Sequence, residues 1–197
     1  LVTSTIWRLL IWKIPARRRF YAHTVTFVCY MATLLLSIKV RAINKPKSGK
    51  NYLLVGNHLG MIDILVTASQ LSALFVTSVE LRQTAGLGWL AEMSGCLFVE
   101  RRSRSNITKE LKEIRNVLSQ GLSVILYPEG TSTNGERVLP FKKTLMTSAA
   151  GTGIAIKPMV LNYRRVNGEP MSAKWRDYVF WYGDQTFAPA LLRFFSL

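Results

Sequence analysis

Tyr52-Leu53-Leu54-Val55-Gly56-Asn57-His58-Leu59-Gly60-Met61-Ile62-Asp63-Ile64-Leu65-Val66 is the stretch that decides how this chain folds. Residues 52–55 form an apolar run that reads as a strand, and residues 62–71 read as a helix. His58 lies between them, and Asp63, five positions on, stands at the start of the helical run. In one continuous helix, residues five apart point roughly 140° away from each other. The two side chains therefore meet only if His58 ends the strand, Gly60 turns the chain, and Asp63 falls in the first turn of the helix. A second reading stays open on spacing alone: Asp63 as an ordinary acid at a helix N-terminus, and His58 as a loop residue. The chain has two histidines, and the other, His23, sits among aromatic and β-branched residues near the N-terminus. Imidazole is the side chain whose unperturbed pKa suits acid–base work near neutral pH, so His58 is the candidate base.

The same rhythm continues along the chain. Strand-like runs at 73–77, 96–99, 122–127 and 154–161 alternate with helical patterns at 81–93, 106–119 and 145–150. The segment 81–93 is broken by Gly86 and Gly88, and a last strand is predicted at 178–182. Alternation of this kind predicts an α/β fold: a mixed, largely parallel sheet flanked by helices. In such folds ligands gather beyond the carboxyl ends of the strands.

With 26 Lys and Arg against 11 Asp and Glu, the formal charge is +15 over 197 residues. That surplus points to anionic partners. Hydrophobic residues make up 49% of the chain and the mean hydropathy is positive, which favours an anionic membrane surface over nucleic acid. Cys29 and Cys96 lie in apolar settings and support neither a disulfide framework nor a metal site. Two small, buried apolar residues is the reading they fit.

The N-terminus carries the membrane signal. Residues 6–14 mix Trp, Leu and Ile with Arg and Lys, as an interfacial helix does; a helix covering a core is the alternative. Residues 20–38 contain no Asp, Glu, Lys or Arg. A bilayer span needs about 20 predominantly apolar residues, and this segment is diluted by Thr and Ser and flanked on both sides by basic residues. An interfacial or re-entrant helix is favoured over a single span. The predicted division is a membrane-docking helical pair over 1–45 and an α/β domain over 46–197.

Polar clusters follow the strands: Glu100-Arg101-Arg102-Ser103-Arg104, then Pro128-Glu129-Gly130-Thr131-Ser132, then Lys157-Pro158. Singly each has a plain reading as a solvated face or a turn. Jointly, and in this order, they resemble the PlsC-like glycerolipid (1-acylglycerol-3-phosphate and lysophospholipid) acyltransferase family. The resemblance covers residues 52–161 through four blocks: Asn57 to Asp63 as His-x4-Asp, Gly95 to Arg101, Pro128 to Thr131, and Ile156 to Val160. Leu139-Pro140-Phe141-Lys142 extends the third block.

What the resemblance implies is an O-acyltransferase of phospholipid biosynthesis. The acyl donor would be acyl-CoA or acyl carrier protein, a co-substrate, with no cofactor and no metal. The acceptor would be a lysophospholipid hydroxyl, foremost 1-acylglycerol-3-phosphate to give phosphatidate. The location implied is the cytoplasmic face of the bacterial inner membrane, as a peripheral or monotopic protein. His58 and Asp63 would be catalytic. Asn57, Arg101, Arg102, Glu129, Gly130, Thr131, Lys142 and Lys157 would bind substrate, and backbone N–H groups near Gly60 or Gly130 would receive the oxyanion. Two features differ from members that act on lysophosphatidate. Ser132 stands where those members often carry Arg, and Glu100 stands where Asp is common. The Ser132 form, with Gly135 to Phe141 and Trp181-Tyr182-Gly183-Asp184, is similar to bacterial members acting on other lysolipids such as lyso-ornithine lipid.

A non-enzymatic basic module for membrane binding explains the charge and the apolar N-terminus, but not four blocks in order. Gly-x-Ser-x-Gly, His-Glu-x-x-His and the phosphate-loop pattern are absent, which removes hydrolase-elbow, zincin and P-loop readings.

Overall fold

The computed structural model describes residues 14–84, 86–100 and 106–197. The predicted interfacial helix at 6–14 therefore lies almost wholly outside the described residues, as do Arg101 and Arg102.

The first described helix, α1 (Ile14–Leu35), is longer at its start than the apolar segment alone predicts. Pro15 does not interrupt it, because a proline in the first turn gives up an N–H that has no helical partner there. Arg18 pairs with Glu113 at 3.2 Å and Arg19 donates to the Gln120 carbonyl at 2.9 Å, so these arginines bind protein rather than flank a bare apolar segment. The helix stops in a Schellman arrangement: Ser37 has φ 55°, Ser37 N–H reaches the Leu34 carbonyl, and Ile38 N–H reaches that of Thr33. No described helix is long and apolar enough to cross a membrane.

Five parallel strands follow: β1 (Leu53–Gly56), β2 (Ala73–Ser78), β3 (Leu97–Val99), β4 (Ser123–Leu126) and β5 (Ile156–Met159). Their order across the sheet is β3-β2-β4-β1-β5, and every pairing in it is parallel. The expected mixed character is confined to a separate two-residue antiparallel ladder, β6 (Arg165–Val166) with β7 (Glu169–Pro170). The connections carry α2 (Met61–Ala68), α3 (Val79–Arg82), α4 (Leu87–Met93), α5 (Ile107–Ser119) and a short 3-10 turn, Leu145–Ala149. The first turn of α4 lies close against the end of α3: a Cβ on Gly88 would stand 2.0 Å from the Arg82 carbonyl oxygen.

Strand alternation sorts the core into two layers. Leu53, Val55, Leu74, Val76, Val124 and Leu126 face α5, meeting Ile114, Val117 and Leu118. Leu54, Ala73, Phe75, Ile125 and Tyr127 face the other way, towards Ala68 and Ile64 of α2 and Val25 and Cys29 of α1. Full burial of each large apolar side chain stabilises by about 1.5–3 kcal/mol. β1 sits between β4 and β5 because it is buried on both faces, and its exit is surrounded by the exits of its neighbours.

The strand predicted at 178–182 is not formed. Residues 173–179 are helix α6 (Ala173–Val179), followed by an extended segment and α7 (Phe187–Phe195). The aromatic run has strand-like composition, but its backbone is bound elsewhere. Trp181 N–H donates to Leu59 O at 3.1 Å, and Ser132 Oγ donates to Trp181 O. The segment straps the loops that follow β1 and β4 instead of joining the sheet edge.

Candidate active site

The site is built where β1, β4 and β5 end. β1 stops at Gly56, where a Cβ would lie 3.0 Å from both Cε and the carbonyl oxygen of Met159 on β5. Asn57, next in line, is buried and bonds Leu161 twice: Nδ2 donates to the Leu161 carbonyl at 3.1 Å, and Leu161 N–H donates to Oδ1 at 2.8 Å. Both ends of its amide thus tie the end of β1 to the chain leaving β5.

His58 is held by its backbone before its side chain acts. Its N–H donates to Glu129 Oε1 at 2.7 Å, and its carbonyl accepts the Thr133 N–H at 2.9 Å. Its ring stacks on Tyr127, with centroids 4.4 Å apart and planes 9° from parallel. Nδ1 lies 2.7 Å from Asp63 Oδ2. With that carboxylate as partner, Nδ1 carries the proton and Nε2 presents its lone pair. Nε2 has no hydrogen-bond partner among the described residues, and the side chain is 20% exposed.

Asp63 is 0% exposed and occupies the first turn of α2. Its Oδ2 also accepts the N–H groups of Leu59 (2.5 Å) and Gly60 (3.0 Å), and its Oδ1 accepts the Tyr163 hydroxyl at 2.7 Å. Both readings of the His58–Asp63 spacing are therefore realised together. The same carboxylate caps the helix and holds the imidazole. The turn between them needs glycine: Gly60 has φ 150° and ψ −157°, and a Cβ there would meet Trp181 N at 2.5 Å.

The other predicted residues divide. Glu129 is 3% exposed, and its two oxygens are taken by backbone N–H groups, that of His58 and that of Leu139 at 2.7 Å. Gly130 turns the chain at φ 77°, and Lys142 lies over it: a Cβ on Gly130 would stand 2.7 Å from Lys142 Nζ. Thr131 is exposed beside them. Asn57, His58, Asp63, Glu129, Gly130 and Lys142 thus meet at one edge. Lys157 does not join them. It is paired in register with Leu54, four residues back along β1 from His58, and its ammonium sits 5.6 Å from the centre of the Tyr52 ring. The Gly60 and Gly130 N–H groups are not free for an oxyanion, because they donate to Asp63 Oδ2 and to the Tyr127 carbonyl.

Three site residues escape sequence reading. Tyr127 was placed on a strand, and strand alternation was the signal for its side of the sheet. Tyr163 and Trp181 come from 100 and more residues beyond the turn they contact, and no local pattern reports that. Burial, then the Asp63 charge, pushes both the Tyr127 and Tyr163 phenols well above the usual range, so both stay protonated.

The Acyltransferase family profile matches residues 37–162, well over half of the chain. The lyso-ornithine lipid O-acyltransferase of Brucella abortus is 34% identical over 80% of this chain and 61% of its own length. That of Rhizobium meliloti is 32% identical over 82% of this chain and 58% of its own length. A 1-acyl-sn-glycerol-3-phosphate acyltransferase from Neisseria gonorrhoeae is 27% identical over 63% of this chain and 49% of its own. The crystal structure of the 1-acyl-sn-glycerophosphate acyltransferase PlsC from Thermotoga maritima superposes with a TM-score of 0.54 at 26% identity, covering 71% of this chain and 56% of that one. The chain spans about three fifths of the length of the curated relatives given first. With its four blocks in order, its parallel sheet and the His58–Asp63 pair at the sheet's carboxyl edge, the chain belongs to the PlsC-like Acyltransferase family.

Proposed function

We propose that this chain carries the active site of a membrane-associated O-acyltransferase. It would move a fatty acyl group from an acyl-CoA or acyl carrier protein thioester to a lysolipid hydroxyl. The observation that carries the reading is the open Nε2 of His58 backed by a fully buried, multiply bonded Asp63.

The steps follow from that geometry. His58 Nε2 takes the acceptor's hydroxyl proton as the oxygen attacks the thioester carbonyl, and a C–O bond forms. Asp63 stabilises the resulting imidazolium. The tetrahedral oxyanion collapses, the C–S bond breaks, and the leaving thiolate takes the proton back from His58. Positive charge for the oxyanion or a phosphate comes from Lys142, whose ammonium lies over Gly130. Glu129 and Asn57 act by holding backbone, and Cys96 is not a nucleophile.

Two acceptors compete. The family resemblance puts 1-acylglycerol-3-phosphate first. Ser132 supports lyso-ornithine lipid instead, because its hydroxyl is spent on the Trp181 carbonyl and offers no guanidinium to a phosphate. The relatives from Brucella and Rhizobium support the same choice. The exposed apolar residues of α1, among them Phe27, Met31, Leu34 and Leu35, together with the +15 charge, support peripheral or monotopic binding to the cytoplasmic face of an anionic membrane.

The test is an acceptor panel. Labelled acyl-CoA and acyl carrier protein donors are offered with lyso-ornithine lipid, lysophosphatidate and lysophosphatidylcholine, to wild type and to His58→Ala. Transfer to lyso-ornithine lipid, lost in the variant, is expected. Transfer to lysophosphatidate alone overturns the acceptor. No transfer, or transfer that survives His58→Ala, overturns the enzyme reading and favours a binding module.

A further inference from the structure

We propose that Tyr163 is a positioning residue for the catalytic pair: it fixes the Asp63 carboxylate and sets how strongly that carboxylate holds a proton on His58. The inference rests on the acyltransferase reading of the same site and assigns it a residue that lies outside all four sequence blocks.

The bonding around Asp63 is lopsided. Three donors converge on Oδ2: His58 Nδ1, Leu59 N–H and Gly60 N–H. Oδ1 has one donor among the described residues, the Tyr163 hydroxyl at 2.7 Å. A carboxyl oxygen buried with a single donor depends on it, since removing that donor leaves an unsatisfied charged acceptor. Tyr163 is itself held. Phe180 meets its ring edge-on at 5.5 Å, and Leu161, two residues before it, is clamped by both ends of the Asn57 amide. Asn57 is covalently next to His58, so a closed circuit runs from Asn57 through Leu161, Tyr163 and Asp63 back to His58.

The chemistry gives the direction. A neutral O–H donor draws charge from the carboxylate and weakens its pull on the imidazolium. The phenol keeps its proton, because burial and the adjacent charge of Asp63 oppose its ionisation. The donor is therefore permanent across the working pH range. Among the described residues, the titratable side chains hydrogen-bonded to or stacked on the His58–Asp63 pair are Tyr127, Glu129 and Tyr163.

The test uses Tyr163→Phe, which keeps the ring against Phe180 and removes only the hydroxyl. With two histidines in the chain, imidazole NMR resolves His58 from His23 and reads its titration midpoint directly. We expect the His58 midpoint to rise relative to wild type and the acid limb of kcat/KM to move up with it. We expect kcat to fall about tenfold because the Asp63 carboxylate, freed at Oδ1, no longer holds the imidazole in its reactive orientation, with acceptor KM unchanged. Asp63→Asn serves as the reference of opposite sign, since removing the charge lowers the midpoint. An unmoved midpoint in Tyr163→Phe overturns the proposal, even where activity falls, because a purely structural role predicts that pattern. The imidazole titration needs no turnover. A wild type that transfers no acyl group sinks the enzyme reading, and the role of Tyr163 towards the pair is still decided.

Discussion

Glu129 Oε1 accepts the backbone N–H of His58 at 2.7 Å, so the acid of the Pro-Glu-Gly-Thr block is a strut under the candidate base. Its other oxygen takes the N–H of Leu139. Glu129→Ala would leave two partly buried donors, the N–H groups of His58 and Leu139, without their partner, at a cost of about 1 kcal/mol each. Glu129→Gln keeps one acceptor oxygen and should lie between. Urea denaturation orders the three proteins, and equal midpoints for Glu129→Ala and wild type would refute the strut.

Gly60→Ala tests the turn. The new methyl would enter a backbone conformation essentially restricted to glycine and press on the Trp181 N–H. Destabilisation of about 2–4 kcal/mol is expected from strain and displacement of the Trp181 strap. Gly183→Ala provides the comparison: its φ is 62°, but nothing stands within 4 Å of the added Cβ. Its loss should be about 1–2 kcal/mol, the cost of the left-handed backbone alone.

Cys96 should be chemically silent in the folded protein. The side chain is partly buried, and the surrounding protein desolvates the thiol and pushes it up to about 12. At a pH well below that value almost no thiolate is present, and the thiolate is the reactive form. Alkylation followed by mass spectrometry should therefore label Cys96 only after denaturant is added. Cys96→Ala should retain acyl transfer. Rapid labelling of the folded protein would contradict the raised thiol.

Stability should fall on the alkaline side. Tyr127 and Tyr163 are raised above their ordinary value of 10.0, chiefly by burial. Below that value both states hold the phenolic protons and the groups contribute no pH dependence. Above it the unfolded chain releases protons that the folded chain keeps, so folding becomes costlier as pH rises. Denaturant midpoints from about pH 8 to about pH 11 should be flat and then drop. Tyr163→Phe should make the drop shallower, and an unchanged slope would argue against its burial.

How much of this was readable beforehand follows from what each feature depends on. The strands at 52–55, 73–77 and 122–127 are short apolar runs that stay strands whichever face they bury. The amphipathic period of 106–119 leaves α5 one way to lie on the sheet. The strand predicted at 178–182 failed because aromatic composition reports burial and not which backbone partner the segment finds. Residues 178 and 179 close a helix instead, and the N–H and carbonyl of Trp181 bond to Leu59 and Ser132, residues no window around it contains.

The site divides on the same line. The order of the blocks and the five-residue step from His58 to Asp63 are properties of the chain, and from them the sequence determined the α/β class, the family and the candidate base and acid. What those residues bond to was decided only by folding. Glu129 and Asn57 turned inwards to hold backbone. Lys157 stayed back along the sheet. Tyr127, Tyr163 and Trp181 arrived from distant segments. The physical reason is that a parallel sheet gathers the ends of strands far apart in sequence at one edge. Local spacing can describe one strand's exit, but a hydrogen-bond circuit between three exits exists only once the sheet has formed.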